Sequence, residues 1–219
     1  MNYIHTQLDG QEIQVPPGKV VCVGLNYSLH IAEMNNAQTH EPVLFIKPST
    51  SLQSYAHKIR LPSELGVCHY ETELTILITS KINAKNVCEI NESDFYYGVG
   101  LDLTLRNKQS ELKKSGLPWE KAKAFDNSCI LSSWLPPKSL SEIQKSTISL
   151  KINNTIKQKE NASKMLTNIK KIIIESSRYF TLMPGDVIMT GTPHGVGPLR
   201  SGENLVMSID DHDFEIKVI

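Results

Sequence analysis

The sequence predicts a mainly β protein of the α+β class with a few helices, and three observations indicate this. Many short strand-like runs follow one another along the chain, separated by loops that share 12 glycines and 11 prolines. Only residues 163–181 have a convincing helical period, and strands do not alternate regularly with helices as they do in α/β proteins. The length of 219 residues fits one domain with a sizeable core.

The chain is predicted to hold one main domain, residues 19–219, preceded by a short N-terminal hairpin or extension, residues 1–18. Asp9-Gly10 is a favoured two-residue turn between two short β-prone runs. Residues 16–18, two prolines and a glycine, then end the hairpin, because these residue types interrupt regular structure.

The other elements follow from the spacing of apolar residues and from the positions of glycine and proline. Strands are predicted over residues 20–23, 43–46, 70–79, 96–105, 148–152, 187–190, 204–209 and 214–218. Helices are predicted over residues 26–34, 107–114 and 163–181. The glycines within residues 96–105 predict that another part of the backbone comes close to that strand.

The composition argues against several classes of protein. Lys plus Arg equals Asp plus Glu, 23 each, so the chain has no overall field that would attract nucleic acid or an anionic membrane. No apolar run is long enough to span a bilayer, and no secretory signal is visible at the N-terminus. The four cysteines are far apart in sequence, which is typical of reduced thiols. We therefore expect a soluble cytoplasmic protein without nucleic-acid or membrane partners.

Two glutamates stand in the most strand-like run of the chain, residues 70–79. Because side chains alternate between the faces of a strand, Glu71 and Glu73 point the same way. A divalent cation between them would relieve their repulsion, and carboxylate oxygens suit Mg²⁺, Mn²⁺ or Ca²⁺ rather than Zn²⁺. From this spacing alone, a solvent-exposed strand face is the commoner explanation of such a pair.

A third carboxylate strengthens the metal hypothesis. Asp102 stands in the strand predicted over residues 96–105, and the same alternation puts Thr104 and Arg106 on its face. If the two strands are neighbours, three carboxylates converge and leave positions open for water and substrate. A surface aspartate or a strand-end cap is the alternative.

His30 and Glu33 are spaced as neighbours on a helix. A carboxylate beside an imidazole fixes its tautomer and raises its basicity, which suits a general base that activates water. An ordinary surface pair is the alternative. Further cations and donors next to apolar runs could bind an anionic substrate, although each alone is more often a surface residue: Lys47, Arg106, Gln109 and Lys123.

The glycine-rich loop over residues 190–198 lacks the G-x-x-x-x-G-K-[ST] pattern of a phosphate loop, which argues against nucleotide binding. Its backbone N–H groups could still hold a carboxylate. A tight turn that uses glycine and proline for its shape is compatible with that role.

Six motifs in this order resemble the fumarylacetoacetate hydrolase family, in particular its short bacterial and mitochondrial acylpyruvase-like branch. They are CVGLNYSLHIAEM (22–34), EPVLFIKPSTSL (41–52), HYETELTILI (69–78), YGVGLDLTLRNKQ (97–109), GLPWEKAKAFDNSC (116–129) and GDVIMTGTPHGVGP (185–198). Together they cover most of residues 20–200, and their order is far more specific than any one of them. The resemblance favours the metal site over the exposed strand face.

The resemblance implies a mixed β-roll or β-sandwich fold of several sheets, usually assembled as a homodimer. It implies that Glu71, Glu73 and Asp102 bind Mg²⁺ or Mn²⁺, with Ca²⁺ possible in crystals. His30 and Glu33 match the family's water-activating dyad on a mobile lid, and Lys123 matches a lysine that contacts the reacting oxo group. The positions that match substrate contacts are Lys47, Arg106, Gln109 and Thr192.

The implied activity is metal-dependent hydrolysis of the C–C bond of 3-acylpyruvates, including fumarylpyruvate-type 2,4-dioxo acids, to pyruvate and a carboxylate. The cation would stabilise negative charge that spreads from C3 onto the 2-oxo oxygen. The same chemistry permits alternatives on 2-oxo acids: oxaloacetate decarboxylation, oxaloacetate keto–enol tautomerisation, or a hydratase or isomerase reaction. A non-catalytic Ca²⁺-stabilised binding module is the contrasting class, and it has no need of His30, Glu33 and Lys123 together.

Overall fold

The computed structural model describes residues 3–34, 37, 39, 41–87 and 95–219. Within these residues the chain forms fifteen strands and five short helices, so the mainly β prediction is confirmed.

The elements are numbered here in chain order. The strands are β1 Val20–Gly24, β2 Val43–Lys47, β3 Leu52–Ser54, β4 Cys68–Tyr70, β5 Thr72–Leu77, β6 Phe95–Asp102, β7 Thr104–Leu105, β8 Cys129–Leu131, β9 Leu135–Lys138, β10 Thr147–Ile152, β11 Thr155–Asn161, β12 Val187–Met189, β13 Gly197–Pro198, β14 Asn204–Ile209 and β15 His212–Lys217. The helices are α1 Ser28–Glu33, α2 Arg106–Lys114, α3 Glu120–Lys123, α4 Leu140–Ile143 and α5 Ile169–Tyr179.

One large, curled sheet forms the centre of the fold. Its eight strands run in the order β2-β1-β12-β5-β6-β8-β3, with β9 paired to β6. A four-stranded sheet, β11-β10-β14-β15, and a three-stranded sheet, β13-β4-β7, complete the fold. Strand β5 therefore lies in the middle of the large sheet, antiparallel to both β12 and β6.

Strand β5 separates two apolar clusters, as its alternation predicts. Leu74 and Ile76 lie in the main core cluster, whereas Leu77 lies in a smaller cluster. All six residues of β5 are buried, so the strand has no solvent-exposed face. Glu73, on the Leu77 side by alternation, is therefore a buried carboxylate, 2 % exposed.

Two chain segments pass from the three-stranded sheet into the large sheet at the same place. Strands β4 and β5 are separated by Glu71, and β6 and β7 are separated by Leu103. The backbone N–H of Asp102 donates to the carbonyl of Glu71 at 2.8 Å, which joins the two crossings. The passage of both segments from one sheet to the other therefore brings Glu71 and Asp102, two of the predicted metal ligands, side by side.

The glycines of β6 allow the close approach that the sequence predicts. A Cβ atom at Gly100 would lie 2.7 Å from the carbonyl oxygen of Ile130, and one at Gly98 would lie 2.7 Å from Oγ of Ser132. Neither space accommodates a side chain, so β6 and β8 pack closely only because glycine stands at these positions.

Helix α5 begins later than the predicted residue 163. Asn168 caps it by accepting a hydrogen bond from the backbone N–H of Lys171 at 2.8 Å. The preceding residues are held instead by Asn26, which accepts from the N–H of Thr167 at 2.7 Å and donates to its carbonyl at 3.0 Å. This long-range anchor, which a periodicity argument does not detect, keeps the segment out of the helix.

The N-terminal hairpin forms, but its predicted two-residue turn is wrong. Gln7 donates to the carbonyl of Gln11 at 2.8 Å, so the loop holds three residues, and Gly10 adopts a φ of 85°. That left-handed backbone at the last loop position is typical of three-residue hairpins. Tyr3 and Ile13 pack against the smaller apolar cluster. The division of the chain after residue 18 stays a prediction.

His5 connects the hairpin to the main domain and is fully buried. Its Nδ1 accepts a hydrogen bond from the indole N–H of Trp134 at 3.0 Å, and its Nε2 lies 3.2 Å from the carbonyl oxygen of Gly185. These partners fit a neutral ring with the proton on Nε2. Burial lowers the pKa of His5 to about 4, against the opposing effect of the Gly185 hydrogen bond.

We therefore expect the protein to lose stability as the pH falls from 6.5 to 4. The unfolded chain binds the His5 proton first in that window, so the contribution is complete above pH 6.5 and amounts to about 3 kcal/mol by linkage. Urea unfolding of the wild type and of His5→Gln at several pH values measures it. Equal pH slopes in the two proteins would show that His5 does not carry the effect.

The described cysteines Cys22, Cys68 and Cys129 are free and buried, as predicted, and Cys88 lies outside the described residues. None of the helices in the described ranges is long and apolar enough to cross a membrane.

Candidate active site

Three buried carboxylates meet where the two sheets cross. One oxygen from each of Glu71, Glu73 and Asp102, the acidic triad, lies within 4.8 Å of the others. Their exposed fractions are 5 %, 2 % and 1 %. Thr72 pairs with Leu101 where β5 lies beside β6. This register brings the two glutamates that flank Thr72 close to Asp102, which follows Leu101. The exposed strand face is therefore excluded.

Three cations surround the triad. The Lys123 ammonium lies 2.8 Å from Oε2 of Glu71 and 2.6 Å from Oδ2 of Asp102, and it donates to Oγ1 of Thr104 at 2.7 Å. Arg106 pairs with the other oxygen of Glu71. The Lys47 ammonium lies 2.9 Å from Oδ1 of Asp102. Positively charged side chains therefore already lie against the carboxylates of the triad.

The three carboxyl groups differ in their affinity for a proton. Burial alone would raise the pKa of Glu71, but Lys123 and Arg106 hold it at about 2. Among the described residues Glu73 forms no ion pair, and it accepts a hydrogen bond from the backbone N–H of Gly191 at 2.7 Å. Burial and the charges of Asp102 and Glu71 raise the pKa of Glu73 well above its usual range.

The donor atoms fit a divalent cation. The site offers carboxylate oxygens, which are the ligands that Mg²⁺, Mn²⁺ and Ca²⁺ prefer. Among the described residues, buried Oδ1 of Asp102 has the Lys47 ammonium at 2.9 Å but accepts no hydrogen bond. That ammonium instead donates to the carbonyls of Lys123 and Ser128 and to Oγ of Ser128. A buried carboxylate oxygen that accepts no hydrogen bond and a carboxyl group that repels its neighbours both favour a bound cation.

The predicted dyad lies beside the triad. Nδ1 of His30 is 3.4 Å from Oε2 of Glu33, a long hydrogen bond along one turn of α1. Both oxygens of Glu33 in turn accept from the backbone N–H of Gly195 at 3.1 Å. This arrangement leaves Nε2 of His30 to exchange a proton. Burial lowers the pKa of His30 below its ordinary value, although Glu71 and Glu33 oppose the shift.

A single pocket joins these groups. His30, Arg106, Gln109, Lys123 and Thr192 line it together with the acidic triad. The sequence prediction did not include one further polar lining residue, Lys113. The remaining wall is largely apolar and consists of Val23, Gly24, Leu25, Met34, Phe45 and Trp119. A small anion could thus contact the cations, the triad and the imidazole at once.

Lys47, predicted to contact substrate, lies behind the pocket wall. It is 0 % exposed and is not among the residues that line the pocket in the described ranges. Its ammonium holds Asp102 and the backbone around Ser128 instead. The geometry therefore supports a positioning role for Lys47.

Gln158 is a site residue that sequence reasoning missed. Its Nε2 donates to Oγ1 of Thr192 at 2.9 Å and to the carbonyl of Pro193 at 2.8 Å, and its Oε1 accepts from the N–H of Thr72 at 2.9 Å. One buried amide thus ties β11, β5 and the loop after β12 together. The only signal in the sequence was a polar residue at an inward position of a short strand.

Replacing Gln158 by Leu is expected to lower stability by about 2 kcal/mol and to raise the KM for substrate, because buried groups at Thr72 and Pro193 lose their partner. Urea unfolding and steady-state kinetics measure the two effects. Lys159→Met, at the neighbouring exposed position, is the control. A Gln158→Leu protein with the stability and KM of that control would contradict the positioning role.

The fold and the site define a class: a mainly β enzyme whose small-molecule pocket contains an acidic triad of the kind that holds a divalent cation. The family model for the fumarylacetoacetate (FAA) hydrolase C-terminal domain matches residues 19–218. The chain belongs to the fumarylacetoacetate hydrolase family, which confirms the resemblance drawn from its motifs.

Known proteins of this family are similar over most of the chain. Oxaloacetate tautomerase YcgM of Escherichia coli K12 is 44 % identical over 218 residues, 99 % of this chain and 100 % of the relative. The human mitochondrial oxaloacetate tautomerase FAHD1 is 38 % identical over 192 residues, 87 % of this chain and 86 % of the relative.

A solved structure of fumarylpyruvate hydrolase from Pseudomonas aeruginosa, in complex with Mn²⁺ and pyruvate, superposes with a TM-score of 0.86. It is 30 % identical, and the match covers 100 % of this chain and 96 % of that one.

Proposed function

We propose that this protein is a divalent-metal-dependent enzyme that interconverts the keto and enol forms of oxaloacetate. The observation that carries the proposal is the pocket in which the acidic triad, Lys123 and His30 face one small space. Electrophilic groups and a base in one pocket suit removal of a proton next to a carbonyl group.

The names of the similar proteins support tautomerisation over the other reactions of 2-oxo acids. The Escherichia coli and human relatives are both oxaloacetate tautomerases. The sequence alone left this reaction as an alternative and favoured acylpyruvate hydrolysis. The relatives support the alternative more directly.

Glu71, Glu73 and Asp102 would hold the cation. When bound, it supplies positive charge that stabilises the enolate oxygen of a 2-oxo acid. Mg²⁺ and Mn²⁺ both fit the carboxylate donors.

The residues of the chain would move the proton. Nε2 of His30 takes a proton from C3 of the keto form. The electron pair of that C–H bond becomes the second bond between C2 and C3, and the π pair of the 2-oxo carbonyl moves onto its oxygen. The proton that His30 has taken is then delivered to that oxygen, which completes the enol. The Lys123 ammonium supplies positive charge that stabilises the oxygen while it is negative. The reverse sequence returns the keto form. Glu33 accepts a hydrogen bond from Nδ1 of the imidazole and so favours the tautomer in which Nε2 carries no proton.

Hydrolysis of acylpyruvates is the second candidate, and the dyad is the observation that favours it. His30 held by Glu33 suits activation of water as well as proton removal from carbon. The structurally similar protein from Pseudomonas aeruginosa is a fumarylpyruvate hydrolase.

A substrate panel distinguishes the candidates. Oxaloacetate, acetylpyruvate and fumarylpyruvate are each incubated with Mg²⁺ or Mn²⁺, and both enol absorbance and released pyruvate are followed. Tautomerisation changes the absorbance of oxaloacetate without releasing pyruvate, whereas hydrolysis and decarboxylation release it. Faster release of pyruvate from an acylpyruvate than interconversion of oxaloacetate would overturn the proposal in favour of hydrolysis.

We retain the homodimer and the cytoplasmic location as proposals. Light scattering coupled to size-exclusion chromatography tests the first, and fractionation of cells that produce the protein tests the second.

A further inference from the structure

Helix α2 presents three polar side chains to the pocket. Arg106, Gln109 and Lys113 all line it, and their spacing of three and then four residues puts them on one helix face. The Arg106 side chain is 12 % exposed and Gln109 is 8 % exposed, whereas Lys113 is exposed. The helix therefore extends from the buried triad to the rim of the pocket, with Lys113 at the outer end.

An aromatic wall lies beside Lys113 at that rim. Its ammonium lies 6.0 Å from the centre of the Trp119 ring, and this ring lies 5.9 Å from the ring of Phe45. Both rings line the pocket. A cation over an aromatic face keeps its charge while the contact restricts its position.

The charges deeper in the pocket are already balanced for the enolate form of a simple 2-oxo acid. Within the described residues, the acidic triad is matched by three cations, of which Lys47 and Lys123 are buried and Arg106 is mostly buried. The divalent cation would add two positive charges, which the carboxylate and the enolate oxygen of a 2-oxo acid offset. A second carboxylate at the far end of the substrate would therefore need a further positive charge near the rim.

We propose that Lys113 binds the distal carboxylate of the substrate and thereby selects dicarboxylic 2-oxo acids over those with an uncharged end. This inference rests on the proposed action on 2-oxo acids and specifies the substrate class of the same pocket. Lys113 is a specificity-determining residue in this account, because its contact lies away from the atoms that exchange protons.

Two ligands that differ only at the distal end test the inference. Oxaloacetate and 2-oxobutanoate share the 2-oxo acid and C3, and a methyl group replaces the distal carboxylate in 2-oxobutanoate. Calorimetric titration of the Mg²⁺-loaded protein gives both dissociation constants. Lys113→Met is expected to weaken oxaloacetate binding about fivefold, as for a partly exposed ion pair, and to leave 2-oxobutanoate binding within about twofold.

Two further variants make the comparison specific. Lys114→Met removes an exposed lysine on the same helix that does not line the pocket, and it should leave both dissociation constants unchanged. Lys113→Arg keeps the charge and should retain most of the preference for oxaloacetate. Equal weakening of both ligands by Lys113→Met, or unchanged oxaloacetate binding, would overturn the inference.

The failure of this inference is distinguishable from failure of the proposed function. Calorimetry requires no turnover, so a ligand preference that depends on Lys113 supports the inference even if the wild type does not tautomerise oxaloacetate. A wild type that tautomerises oxaloacetate but binds both ligands equally contradicts the inference alone.

Discussion

Replacing Glu73 by Gln is expected to abolish binding of Mg²⁺ and Mn²⁺ while leaving the metal-free fold at least as stable as the wild type. Loss of even an outer-shell partner of a metal ligand costs 10–100-fold in affinity, so loss of one of three carboxylate ligands should cost at least about 100-fold. Oxaloacetate interconversion should fall with it.

The expected stability of metal-free Glu73→Gln follows from the different surroundings of the three carboxylates. Glu73 is buried against Asp102 and Glu71, and these neighbours raise its pKa well above its usual range, together with burial itself. Its hydrogen bond from the N–H of Gly191 can be kept by the amide oxygen of Gln. The substitution therefore removes repulsion without breaking an ion pair.

Asp102→Asn is the matched comparison. Asp102 lies 2.6 Å from the Lys123 ammonium and 2.9 Å from that of Lys47, so its neutralisation leaves two buried cations with less compensation. Breaking buried pairs costs roughly 3–5 kcal/mol. Calorimetric metal titration and urea unfolding of both variants check the contrast. Full metal affinity in Glu73→Gln, or a stability loss equal to that of Asp102→Asn, would contradict it.

The pH dependence of metal binding provides a second check on Glu73. Because its pKa is raised, a bound cation competes with a proton for this carboxyl group. We expect the affinity for Mg²⁺ to fall as the pH is lowered and a proton to be released on binding. Titration in buffers of different ionisation enthalpy measures that release, which should disappear in Glu73→Gln.

Replacing His30 by Ala is expected to lower kcat for oxaloacetate interconversion by about 10²–10⁴-fold, the usual contribution of a general base. Metal affinity should remain close to that of the wild type, because His30 is not one of the predicted ligands. Burial lowers the pKa of His30, so its ring is neutral at neutral pH. The wild-type rate should therefore decline only below about pH 6.5, as the imidazole is protonated.

His212→Ala is the control for His30→Ala, because His212 is exposed on β15 and does not line the pocket. Steady-state rates across the pH range, with metal affinity measured in parallel, check the prediction. A His30→Ala protein that retains both the rate and the pH profile of His212→Ala would exclude the imidazole as the base.

The parts of the site that follow from local spacing could be predicted from the sequence. Alternation along residues 70–79 predicted that Glu71 and Glu73 point the same way, and their carboxylates do meet in the acidic triad. The glycines of β6 predicted the close packing against β8. The ordered motifs indicated the family, which is confirmed. Spacing alone could not show that the face with Glu71 and Glu73 is buried, because burial depends on how the large sheet and the three-stranded sheet meet there.

The parts that depend on distant contacts could not be predicted in the same way. Asn26 fixes the backbone before α5, and Gln158 joins three elements, yet each is an ordinary polar residue in the sequence. Lys47 is the last residue of the apolar strand β2, but its ammonium lies against Asp102 behind the pocket wall. Only the tertiary arrangement distinguishes these positions.

The most direct test of the central claim is the rate at which the enol form of oxaloacetate disappears, followed by its ultraviolet absorbance. The protein is first treated with EDTA, and Mg²⁺ is then restored. We predict a rate near the spontaneous background in EDTA, a large acceleration after Mg²⁺ is added, and a background rate for Glu73→Gln in both conditions. Equal wild-type rates in EDTA and Mg²⁺, or no acceleration in Mg²⁺, would contradict the account.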